Sequence, residues 1–316
     1  MVQQALHRLS TPKPKRQYNG FDGVVGSDDG VRIAGGRFAT VAEAIAELPA
    51  GSMIWIKEGS YAGFTASVNN YYIFAEPGTV FTSAIELSGT AVRLALGSQV
   101  DVQGILTLSG NSTSLTCEDG CTLDSIQCDG DDTFIDGGGW GTIVGTPSTD
   151  RNVIALHGNR QILQNISAQS TGGGGNSNQR PVDPTGTFPT VRNVRVIDSD
   201  RDAIPCSASD AYIKDCIVQK SDEGGIGITG PRARVIGNYV IGTGTLGIVL
   251  GSAGDNSVVV GNTVRSQAAT KDAIQIETNG ENCVVVGNRV DDLGTGNGIV
   301  DNSGTSTVAD NDETAF

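Results

Sequence analysis

The feature that most limits how this chain folds is a repeat of about two dozen residues. ARVIGNYV begins at Ala233, SVVVGNTV at Ser257, CVVVGNRV at Cys283 and STVADND at Ser306. The matching asparagines, Asn238, Asn262, Asn288 and Asn311, are 24, 26 and 23 residues apart. A second motif follows the same beat: GGIGI at Gly224, LGIVL at Leu246, DAIQI at Asp272 and NGIVD at Asn297. DAIPC at Asp202 places Ile204 another 22 residues before Ile226. Earlier apolar runs centre near Ile54, Ile73, Leu94, Leu115 and Phe134. Such a period, with several short strands in each, predicts a β-solenoid. A leucine-rich repeat needs leucines at fixed offsets, which are absent, and propeller blades need about twice the period. Each period is one coil, and about twelve coils stacked at ~4.8 Å make a rod roughly 55–60 Å long. The V-x-V and I-x-I alternation sends one set of side chains inward. The recurrent asparagine, after an inward valine and a glycine, reads as an inward amide ladder at a tight turn.

Composition agrees. Glycine contributes 44 of the 316 residues, charged residues are 18% and aromatics 5%, the profile of an all-β chain with many turns. Net charge is −14. The first twenty residues run the other way, with Arg8, Lys13, Lys15 and Arg16 and no acid. A body this acidic is no partner for nucleic acid, because phosphate binding rests on basic charge. No apolar run reaches the ~18 residues of a membrane span, and residues 1–20 lack the apolar stretch of a secretory signal. The six cysteines form no CxxC pair and have no histidine nearby, so they read as buried free thiols.

Three segments follow from this reading. Residues 1–20 form a flexible basic arm, an anchor. Residues 21–52 hold a loop and one helix, in TVAEAIAEL from Thr40 to Leu48. Thr40 and Glu43 make a capping box, Val41, Ala44, Ile45 and Leu48 share a face, and Pro49 and Gly51 stop it. Residues 53–316 form the solenoid, interrupted by a loop at 170–189 that is unfit for a coil strand. The helix is the N-terminal lid. No comparable lid follows Asn311, which leaves a strand edge for a sister subunit, a partner or charged residues to cover.

FATVAEAIAELPAGSMIWIKEGSY, from Phe38 to Tyr61, and TFIDGGG at Thr133 carry a resemblance, together with the GNxV and GI repeats. From Phe38 onward the chain resembles single-stranded right-handed parallel β-helices of the pectate-lyase-like superfamily, and among them a compact phage tailspike. The resemblance implies an all-β fold with a capping helix, and a polysaccharide as ligand. The superfamily includes lyases, galacturonan hydrolases, esterases, epimerases and tailspikes. This chain departs from several of these. No GHG or RIK segment follows the acidic pair Asp222-Glu223, and esterase and epimerase signatures are not found. A tailspike's separate head and trimerisation domains do not fit in this length, and the basic arm is the substitute for the first.

Two regions are candidates for chemistry. The 170–189 loop carries Arg180, Asp183 and Phe188, which would line a groove on the rod. The acid-rich turns are Asp198 to Asp202 and Lys220 to Glu223. Their registers match, so Asp200 stacks near Asp222 and Arg201 near Glu223, with Lys271 and Asp272 two turns on. Carboxylates on adjacent or alternate turns bracket the separations used in glycoside hydrolysis. Asp200, Asp202, Asp222 and Glu223 are therefore the candidate catalytic acids, and Arg180, Phe188, Arg201, Lys220, Lys271 and Asp272 the substrate contacts. The alternative, by the resemblance to β-helix lyases, is that the same oxygens hold Ca2+, with Arg201, Lys220 or Lys271 as base. The competing reading is ordinary turn chemistry with solvated ion pairs. His157 has no acid at a telling spacing and reads as a turn residue. Three functions compete: a virion-associated spike, homotrimeric and held to a virion partner by its arm, that binds or cleaves bacterial surface polysaccharide; a freestanding polysaccharide lyase or hydrolase, secreted or at the cell surface; and a purely structural rod.

Overall fold

Short β-branched runs broken by glycine, asparagine and aspartate favour strands of three to five residues joined by tight turns. The computed structural model describes residues 22–26, 37–145, 153–170, 180–199, 201–266, 272–292 and 298–315. The basic residues of the arm, Arg8, Lys13, Lys15 and Arg16, lie outside them, as do Asp200 and Lys271.

Each repeat makes one three-sided coil. In the coil that begins at Arg234, face one is Arg234–Ile236, face two Tyr239–Thr243 and face three Ile248–Leu250. The next coil returns to face one at Val258–Val260, paired in parallel with Arg234–Ile236. Among the described residues, thirteen strands stack on face one, from Gly23–Val25 to Thr307–Ala309. Their inward side chains include Ile54, Ile73, Leu94, Leu115, Leu163, Val191, Ile213, Val235, Val259 and Val285, all fully buried. In the TFIDGGG coil the inward residue is Ile135, next to the run centre at Phe134.

The asparagines stand at the corner between faces one and two. Gly237, Gly261 and Gly287, with φ of 66°, 64° and 63°, turn the chain there and aim the next side chain inward. Asn262 Nδ2 donates to Asn288 Oδ1 at 2.9 Å and to Val235 O at 2.9 Å, and its own Oδ1 accepts from Asn238 N and Nδ2. Asn288 repeats the pattern onto Asn311. The ladder is inward and structural, as expected.

Helix α1 spans Val41–Glu47. Thr40 Oγ1 accepts from Glu43 N, and Glu43 Oε2 accepts from Ala39 N, one residue before the usual capping-box donor. Val41, Ala44 and Ile45 join the core at the N-terminal end. Beneath them the buried Tyr71 hydroxyl is shared by the carbonyls of Ile45 and Leu48, groups a helix end leaves unpaired. At the other end, Val308 is in register with fully buried Val285, yet it is 39% exposed. No helix among the described residues is long and apolar enough to cross a membrane.

The 170–189 segment is not wholly a loop. Val182–Pro184 is a face-three strand paired with Ile154–Leu156. Val182 points inward and is fully buried, so hydrophobic registry overrides the local Pro and Gly content. All six cysteines are free and buried.

Candidate functional site

On face three the outward row reads Ala155, Asp183, Pro205, Gly227, Val249, one residue per coil. Gly227 carries no side chain where its neighbours carry a proline and a valine. A Cβ built there meets only Pro205 Cα, at 3.9 Å. The result is a recess of about 220 Å³ lined by Arg180, Asp183, Asp202, Pro205, Ser207, Gly227, Thr229 and Val249, among others. Pro184 and Pro205 also lack the N–H that would bridge their two coils, so the face-three ladder breaks there into two sheets. The recess lies beside this seam.

Asp183 is the most unusual group in the site. It points outward, yet its side chain is only 9% exposed, with Arg180 Nη1 3.9 Å from its carboxylate. A carboxylate this buried needs a paired cation or donors to stay charged. Beneath it lies the inward Cys206, whose thiol is pushed up to about 12 by burial, with the Asp183 charge adding to it. That thiol is protonated at neutral pH and is no nucleophile.

The wall of the recess is the corner between faces two and three, where the acid-rich turns lie. Ser199 and Ser221 are stacked and buried, and both hydroxyls donate to Arg201 O, at 2.8 and 2.5 Å. This pins the turns in register. Asp202 Oδ1 accepts from Gly224 N at 2.8 Å. A Cβ at 224 would sit 2.6 Å from that oxygen and push the carboxylate aside.

The structure sorts the expected site residues. Arg180 and Asp202 line the recess with Asp183. Arg201 Nη1 pairs with Glu223 Oε1 at 2.9 Å, beside the recess. That places opposite charges, rather than two carboxylates, on neighbouring coils. Asp202 stacks on Gly224, so it faces no acid on the next coil of its own row. Asp222 is exposed on the corner and Lys220 pairs outward with Asp198. Phe188 is 54% exposed on the opposite corner and does not line the recess. Asp272 stands half-buried in the row of Asp202, two coils past Gly224. Asp200 and Lys271 are outside the described residues. No group of three His, Cys, Asp or Glu among the described residues is placed to hold a metal ion. Asp202 and Glu223, two of the carboxylates expected to hold Ca2+, instead meet Gly224 N and Arg201.

The model of the family described as "Right handed beta helix region" matches residues 181–314. None of the curated proteins compared with the chain is similar to it in sequence. Three of the solved structures similar to the chain illustrate the range, all at low identity. An alginate lyase from Paenibacillus sp. str. FPU-7 is 15% identical, with 87% of this chain and 94% of that one covered and a TM-score of 0.49. The A-module of an Azotobacter vinelandii mannuronan C-5 epimerase is 15% identical, with 87% and 90% covered and a TM-score of 0.47. A tailspike protein mutant of E. coli bacteriophage HK620, in complex with a pentasaccharide, is 10% identical, with 98% and 71% covered and a TM-score of 0.49.

Proposed function

We propose that this right-handed parallel β-helix binds a linear polysaccharide along face three, centred on the recess over Gly227. The observation that carries the reading is the recess itself: an apolar floor of Pro205, Gly227 and Val249, with Asp183, Asp202 and Arg180 converging on it. Apolar patches under a few fixed polar groups are how proteins hold sugars and other small polar ligands. A surface that repeats at every coil suits a polymer that repeats at every unit.

The setting we propose is a virion-associated spike, a homotrimer held to its particle by the basic arm. The support is the tailspike-like segment from Phe38 to Tyr61 and the charge contrast between residues 1–20 and the acidic body. A second reading has the same recess cleave its ligand. Asp183 favours it, because a carboxylate held almost out of water beside an arginine is the type of group that moves protons in catalysis.

The test is binding to immobilised bacterial and algal polysaccharides by wild type and Gly227→Val. Position 227 has room for a side chain and no left-handed backbone, so the variant keeps its melting temperature within about 2 °C. It fills the recess and lowers affinity at least roughly tenfold. Undiminished binding by the variant, or no glycan bound by wild type, rejects the reading. New reducing ends, or the ultraviolet absorbance of unsaturated products, lost in Asp183→Asn, would establish cleavage.

A further inference from the structure

The residue after each face-three strand forms a row on the corner toward face one. Asp129, His157, Thr185, Ser207 and Thr229 stand in register there, one per coil, and all are exposed. At ~4.8 Å per coil the row is roughly 19 Å long and parallel to the rod axis. Ser207 and Thr229 belong to the recess. His157 and Asp129 are one and two coils beyond the Asp183 edge of the recess, toward the N-terminus.

The upstream pair is built, not incidental. His157 Nδ1 lies 2.9 Å from Asp129 Oδ1, and Gln127 Nε2 donates to Asp129 Oδ2 at 2.9 Å. Both carboxylate oxygens are therefore occupied and the side chain is fixed. A carboxylate only accepts, so the proton of the neutral imidazole sits on Nδ1. In that neutral form Nε2 keeps its lone pair and accepts a hydrogen bond. Sequence reading missed the pair because the two residues are 28 positions apart, and only the coil registry brings them together.

We propose that the Asp129–His157 pair is a distal sugar subsite, with His157 Nε2 accepting a hydroxyl of a polysaccharide whose centre lies in the recess. The inference rests on the proposed function and extends it: the ligand is a hydroxyl-rich chain long enough to span about four coils. Thr185 supplies a hydroxyl contact in between.

The experiment is calorimetric titration with oligosaccharides of graded length, prepared from whichever polysaccharide wild type binds. His157→Ala should cost roughly three- to tenfold in affinity for long oligosaccharides, the value of about one hydrogen bond. It should cost nothing for the shortest that bind, which fill only the recess. Asp129→Asn should reproduce a part of that loss. An equal loss at every length, or none at any length, overturns the proposal. A readout without ligand guards against misfolding and against error in the function itself. His157 is one of two histidines, so its imidazole nitrogen resonances are assignable with a His7→Gln variant. They should report the Nδ1-protonated tautomer in wild type and lose that bias in Asp129→Asn. If wild type binds no oligosaccharide, the subsite falls with the proposed function. The tautomer then tells an intact pair with the wrong ligand class from a pair that does not form.

Discussion

Buried cysteines show how much one residue's surroundings change its chemistry. Cys206 and Cys216 point into the core, and burial pushes both thiols up to about 12. Cys128 is pushed up as well, for the same reason. A thiol is neutral when protonated, so the folded state holds these protons more tightly than the unfolded chain. That contribution to stability is complete below the ordinary thiol value of 9.0 and is lost as pH rises toward 12. Each such thiol withdraws up to about 1.4 kcal/mol per pH unit in that window. Urea midpoints between pH 8 and 11 should fall, and fall less steeply in a Cys206→Ala, Cys216→Ala double variant. Parallel slopes in the two proteins would contradict the assignment.

At the scale of the element, the asparagine ladder adds buried side-chain hydrogen bonds between coils to those of the strand pairs. Asn262 donates to the coil on either side and accepts from Asn238, all out of water. Asn262→Ala takes the side-chain acceptor from Asn238 N and the side-chain donor from Val235 O, while Asn288 Oδ1 keeps the backbone N–H of residue 262 and Asn238 Nδ2 keeps Ile213 O. The expected cost is about 2–4 kcal/mol by urea denaturation, since each stranded buried group costs ~1–3 kcal/mol and the ladder relaxes in part. Asn311→Ala, at the half-buried end of the ladder, should cost less than half as much. Equal costs at the two positions would overturn the assignment of that cost to the buried ladder.

At the scale of the molecule, a solenoid is held by contacts between neighbouring coils, so stability varies along the rod. In this chain the gradient is visible on face one. Val259 and Val285 are fully buried, while Val308, in the same row, is 39% exposed. Amide exchange should therefore be slowest near Val258–Val260 and fastest near Thr307–Ala309, read by mass spectrometry of peptides from face one. Uniform exchange along the face would point to a single all-or-none unit. The N-terminal end has helix α1 and Tyr71 to close it, so its first coils should exchange like the middle.

The sequence by itself determined the coil, its period, its inward row and its ladder. These are properties of residues near one another in the chain, repeated often enough to be read as alternation and spacing. Asn238, Asn262, Asn288 and Asn311 needed no coordinates to be placed inward, and neither did the cap at Thr40. Only the tertiary structure decided what meets across coils. The sequence marks Asp202 as an acid in an acid-rich turn; stacking decides that it binds Gly224 N and faces the recess. It marks Val182-Asp183-Pro184 as loop; registry makes it a strand and buries the carboxylate. It leaves His157 alone; stacking sets Asp129 beside it. The physical reason is the same each time. Side chains about 4.8 Å apart on neighbouring coils are 20 to 30 residues apart in the chain, and coils of unequal length hide that offset from any fixed spacing.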